Sequence, residues 1–166
     1  MTTAEITAAP RRDGPSRPPM PDAPAVAAAQ YTRWGWPVTI TGRRLLLTTG
    51  NQVSAVELPA DLARQVHQHL AVRMLAGPVV ALPGTPCHRL LLAGCADQAA
   101  QASIDRLEHR GAITHRCGAL VPLPPSRLAR GAVTWTVPPA LVEPWLPPFT
   151  AIAAAVRTLT HTREPS

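Results

Sequence analysis

The chain has 166 residues, 46% of them hydrophobic, which suits one domain with a real core. All 16 basic side chains are arginine and the net charge is +6, which favours a polyanionic partner. Three cysteines without paired spacing, and no apolar segment of signal-peptide or membrane-spanning type, argue against secretion and bilayer insertion and point to a cytoplasmic protein with reduced thiols.

The charge has a plainer explanation as well. Arg11, Arg12 and Arg17 fall in the N-terminal leader and the other arginines are scattered, so no basic run marks a groove. Absence of lysine beside abundant Ala, Pro, Leu and Arg also fits a GC-rich genome.

Residues 1–24 alternate Ala, Pro, Arg, Ser and Thr and read as a disordered leader, with the domain at 25–160 and a short tail at 161–166. Asp22 is placed to cap a helix over Ala25 to Trp34, which Gly35 would stop in a left-handed turn. Short apolar segments at Pro37 to Thr41, Leu45 to Thr49 and Val53 to Leu58 read as strands separated by Gly42 and Gly50-Asn51. Ala60 to Leu75 is a helix by the spacing of Leu62, Val66, Leu70 and Met74, ended by Gly77-Pro78. Strands follow at Val79 to Leu82 and Arg89 to Leu92, and then a helix over Ala96 to Arg110 with Ile104 and Leu107 inward. Strands at Ala119 to Leu123 and Ala132 to Val137 flank the Pro124-Pro125-Ser126 loop, and a last helix covers Phe149 to Leu159. The pattern predicts an α+β fold, a mixed α/β-type sheet covered mainly on one face by helices.

Glu57 ends an apolar strand, where a rigid element would orient a carboxylate. A two-metal nucleotidyl transferase needs a second acid at i+2, on the same face, and here that residue is Pro59. A solvated strand-end glutamate is the ordinary expectation. His88 begins a strand after an exposed turn and could meet a phosphate or substrate oxygen, or simply sit half-buried at a sheet edge. His67, His69, Cys87, Cys95 and Cys117 lack zinc-site spacing, and burial as small apolar residues is the expected fate of the cysteines. Pairing Cys87 with His115 as a hydrolase finds no local oxyanion hole. Trp34, Trp36 and Trp135 are expected to close a core rather than stack on bases, with Trp145 partly exposed.

Taken together, Trp34-Gly35-Trp36-Pro37-Val38, Leu47-Thr48-Thr49-Gly50, Ala55-Val56-Glu57-Leu58-Pro59, Gly77-Pro78-Val79-Val80-Ala81, Pro86-Cys87-His88 and the Pro124-Pro125-Ser126 loop followed by Gly131 and Trp135 resemble a known domain. It is the primase/polymerase (Prim-Pol) domain of the archaeo-eukaryotic primase superfamily, in the form found in many actinobacterial proteins. The resemblance implies a compact primase/polymerase-like domain. It places Glu57 at the first motif's leading acid and His88 at the histidine that contacts nucleotide phosphates. The third metal-binding acid would fall within Ile113-Thr114-His115-Arg116, which has none.

With two of three metal acids missing, the expectation is a degenerate DNA primase/polymerase-like domain without efficient catalysis. It would bind single-stranded DNA or a nucleotide through His88, Arg89, Arg116, Ser126 and Arg127. No cofactor is expected, and Mg²⁺ or Mn²⁺ would enter only with residual activity, weakly at Glu57. The competing readings are a regulatory or structural protein-interaction module, and an active primase/polymerase with atypical ligands such as Glu57 and His115.

Overall fold

A computed structural model describes residues 23–84, 86–95, 101–140 and 144–161. The expected leader up to its Asp22 cap, the start of the Ala96 helix and most of the short tail lie outside the described residues, whereas Ala23 and Pro24, expected in the leader, open the first helix instead.

Helix α1 (Ala23–Arg33) leads into β1 (Val38–Thr41) and β2 (Arg44–Thr48), then β3 (Ser54–Pro59) and α2 (Ala60–Ala71). These are followed by β4 (Val79–Leu82), β5 (His88–Ala93), α3 (Gln101–Glu108), β6 (Ile113–His115) and β7 (Leu120–Leu123). The chain continues through β8 (Arg127–Leu128), β9 (Gly131–Ala132), β10 (Thr134–Val137) and α4 (Phe149–His161). The central sheet has five strands in the order β10-β4-β5-β3-β6, a second sheet is β1-β2-β7, and β8-β9 is a small hairpin. Among the described residues every pairing is antiparallel, giving the α+β class expected from the sequence but not the mixed sheet expected with it.

The period of two along each strand divides the core. Val56 and Leu58 of β3 and Leu91 of β5 point to one face of the central sheet, where α2, α3 and α4 contribute Leu62, Val66, Leu70, Leu107, Ile152 and Val156. Ala55 of β3 with Leu90 and Leu92 of β5 point to the other, packing with Leu45 and Leu47 of β2, Val121 and Leu123 of β7, and Tyr31 and Trp36. The helices thus gather mainly on one face as predicted. The other face is covered too, by the second sheet and α1, because β2 and β7 also alternate apolar residues inward.

Two expectations fail for identifiable reasons. Helix α2 stops at Ala71 instead of Leu75, because Met74 takes a left-handed conformation with φ 57° and stands 89% exposed instead of inward. Strand β6 and the β8-β9 hairpin were not predicted as strands. They are two or three residues long and owe their form to their partners, β3 for β6 and each other for the hairpin.

Tyr31 ties the second core to the Pro-Pro-Ser loop: its hydroxyl donates to the Pro124 carbonyl at 2.8 Å. Around it Trp34, Trp36 and Trp135 lie with ring centroids 5.6, 5.7 and 6.2 Å away, so these tryptophans do close a core. Trp145 is 46% exposed, as expected. The cysteines are a correction: Cys87, Cys95 and Cys117 are all exposed and free. Each sits in a turn or at a strand exit, where the backbone has left the core. Among the described residues no helix is long and apolar enough to cross a membrane.

Candidate functional site

Sheet register assembles the site. Glu57 lies at the β3 position paired with Leu90 of β5 and Ile113 of β6. Its same-face neighbours along β3 are Pro59, paired with His88, and Ala55, paired with His115. Both histidines are therefore diagonal cross-strand neighbours of the carboxylate, within reach of long side chains.

The carboxylate uses both oxygens. Oε1 accepts from His88 Nδ1 at 2.6 Å and Oε2 accepts from His115 Nε2 at 3.2 Å. Glu57 has 16% of its side chain exposed, against 27% for His88 and 22% for His115. The expected solvated strand-end glutamate is instead a half-buried, doubly bonded one. The hydrogen bond from His115 holds its carboxyl below the ordinary glutamate value; burial opposes this, and the bond from His88 reinforces it. With one nitrogen of each ring committed to the carboxylate, His88 Nε2 and His115 Nδ1 are the atoms left to meet a ligand.

The turn carrying His88 is braced from several sides. The N-terminal N–H of α2 at Ala60 donates to the Cys87 carbonyl at 3.0 Å, which satisfies one N–H of a helix end that has no side-chain cap. The tip of the β8-β9 hairpin rests on the same turn: an added Cβ at Gly84 would meet Arg130 Cδ at 3.3 Å, and one at Gly131 would meet Pro83 Cβ at 3.2 Å. The hairpin is joined to the β1-β2 turn by Arg127 N–H donating to the Arg43 carbonyl at 3.1 Å. Arg43, Arg44, Arg127 and Arg130, all exposed, therefore lie on connected loops at the His88 end of the sheet. None of these loops carries a carboxylate.

Of the residues singled out in the sequence, Glu57 and His88 meet directly. His115, considered there only as an atypical ligand or a partner for Cys87, joins them. Arg116 follows it, exposed at the exit of β6, and Arg127 stands in the basic hairpin. Arg89 does not join. Adjacent to His88 on a strand, it faces the opposite side of the sheet, in a groove of about 380 Å³ with Arg64, His67 and Thr136. Ser126 does not join either: it is fully buried, its Oγ accepting from Leu45 N–H at 2.7 Å and donating to the Leu45 carbonyl at 2.9 Å. It clamps the loop to β2.

Sequence reasoning missed Arg43, Arg44 and Arg130. They are distant along the chain, and only loop convergence groups them. His115 could have been found by its place two residues beyond Ile113, had the β3-β6 pairing been known.

The residues do not fit the two-metal centre that the resemblance implies. Such a centre needs several carboxylate oxygens to bridge hard cations. Here Glu57 supplies one carboxylate, with each oxygen engaged by a different imidazole. Among the described residues no group of three His, Cys, Asp or Glu side chains is disposed to hold a metal ion.

No family model matches the chain, and no curated protein or solved structure matches it.

Proposed function

We propose that the protein is a non-catalytic, primase/polymerase-like domain of the cytoplasm that binds single-stranded DNA by its phosphates, over the Glu57, His88 and His115 face and the adjoining arginine loops. The observation that carries the reading is the Glu57 clamp on two imidazoles beside a rim of Arg43, Arg44, Arg127 and Arg130. A carboxylate bonded by both oxygens orients its partners and is poorly available as a metal ligand or proton acceptor. Each imidazole is partly exposed and has one ring nitrogen that the carboxylate does not use, and guanidiniums suit bidentate contact with phosphate. Support for the resemblance is that the three chain segments it singles out, around Glu57, His88 and Ile113 to Arg116, are neighbours on one sheet.

The test is fluorescence anisotropy of an oligothymidylate across a salt series. Binding engages about three or four phosphates, giving a log–log salt slope of about −2 to −3. Arg130→Ala and Arg127→Ala should each reduce the slope by about 0.7. His88→Ala should weaken binding, and added Mn²⁺ should leave it unchanged. Binding that requires Mn²⁺ and is lost in Glu57→Gln would favour an active polymerase with unusual ligands. Absence of binding at low salt would leave the protein-interaction reading.

A further inference from the structure

We propose that the free edge of β1 pairs with β1 of a second copy of this chain, antiparallel about a two-fold axis, with Thr39 facing its own counterpart. The central and second sheets end in the strands β10, β6, β7 and β1. Edge strands invite pairing, and proteins ordinarily blunt them. β10 has a register shift between Trp135 and Val137 and runs into Pro138. β6 has only Ile113 to His115 and runs into Arg116. β7 carries Pro122 opposite Leu46. β1 has no such device: Val38-Thr39-Ile40-Thr41 is β-branched throughout, uncharged and in unbroken register with β2.

Register decides which backbone groups face outward. Thr48 N–H donates to the Pro37 carbonyl at 2.8 Å, so the bonded pairs of the β1–β2 ladder are Pro37 with Thr48, Thr39 with Leu46 and Thr41 with Arg44. Val38 and Ile40 therefore turn their N–H and C=O groups to the open side, where they find no partner among the described residues. Helix α1 packs behind the strand: Val38 joins Ala27, Ala28 and Trp34 against the second core, while Thr39, Ile40 and Thr41 stay exposed. A second copy matches this edge in hydrogen bonding. With Thr39 on the axis, Val38 of each copy lies opposite Ile40 of the other, and each such pair exchanges two hydrogen bonds. The same pairs set the Ile40 side chain, 43% exposed, against a valine. Charge is compatible as well. The strand carries none, and the antiparallel arrangement keeps the Arg43 residues of the two turns roughly 27 Å apart along the strands.

A short strand pair buries little area beside a standard interface, so the dimer is a weak one, read at high protein concentration and without DNA. Sedimentation equilibrium of the full chain is expected to show a monomer–dimer equilibrium. Ile40→Pro removes an N–H that β2 does not use, so the β1–β2 ladder is kept while the dimer loses a hydrogen bond from each copy. Association should weaken about tenfold. Thr39→Lys sets two like charges face to face and should weaken it at least as much. Register is read by disulfide trapping in a chain carrying Cys87→Ser, Cys95→Ser and Cys117→Ser, all exposed positions. Thr39→Cys should link two copies under mild oxidation, because residues facing each other in a non-hydrogen-bonded pair have Cα atoms about 4.5 Å apart. Thr41→Cys, also exposed, stands about 14 Å from its counterpart and should not. Far-ultraviolet circular dichroism of each variant checks the fold. A monomer at every concentration would overturn the proposal. So would a dimer indifferent to Ile40→Pro and Thr39→Lys, or equal trapping at positions 39 and 41.

Discussion

Glu57 concentrates the chemistry of the molecule in one side chain. Its carboxyl is held below the glutamate value of 4.5, so it binds protons less readily in the folded state than in the unfolded one. The resulting stability is fully present above about pH 4.5 and is lost as the pH falls through the folded value. Glu57→Gln should therefore destabilise the protein by about 1–3 kcal/mol near neutrality, as charged hydrogen bonds are replaced by neutral ones. That difference should shrink in urea titrations below pH 4.5. An unchanged difference there would mean that the charge on Glu57 contributes nothing. Tyr31 titrates in the opposite sense. Burial raises its hydroxyl to about 12, against a smaller lowering from Trp135. The neutral phenol is the form the fold prefers, so this stability is present below pH 10 and lost as the pH rises through 12. Tyr31 is the one tyrosine in the sequence, so the ultraviolet absorbance of phenolate reports it alone. No ionisation should appear near pH 10 until the protein unfolds.

Helix ends show how element and sequence negotiate. Three helices finish in the same motif. Trp36 N–H reaches the Tyr31 carbonyl at 3.0 Å, Leu75 that of Leu70 at 2.8 Å, and Ala112 that of Leu107 at 3.1 Å. In two of them the left-handed residue is glycine, Gly35 and Gly111; in α2 it is Met74. An L side chain pays roughly 1–2 kcal/mol there, and the exposed Met74 side chain recovers little by burial. Met74→Gly should raise the denaturation midpoint by an amount worth about 0.5–1 kcal/mol, net of glycine's greater freedom when unfolded. A fall in the midpoint would show that the methionine contributes contacts. The same residue explains a limit on reading elements from sequence. Periodicity carried the Ala60 helix through Met74, since nothing local announces a left-handed methionine. Strand β4 was legible to its ends because Val79 to Leu82 is bounded by proline on both sides. Strand β6 was not, because Ile113-Thr114-His115 becomes a strand only by pairing with β3.

At the scale of the whole molecule, the candidate site depends on register, and register is not written locally. Glu57 and His88 stood out by their places at strand ends. Their contact, the arrival of His115 and the grouping of Arg43 and Arg44 with Arg127 and Arg130 all come from how the strands and turns dock. The separation of Arg89 from His88 was implicit in strand alternation, and the burial of Ser126 follows from its clamp on Leu45. The central claim is that this face takes up single-stranded DNA. It is tested most directly by following the histidine imidazole resonances by nuclear magnetic resonance while oligothymidylate is added at low salt. The account predicts that His88 and His115 shift together and saturably while His67 and His69, on α2 across the sheet, stay still. Shifts confined to His67 or His69, or no shift at His88 and His115 despite binding, would contradict it.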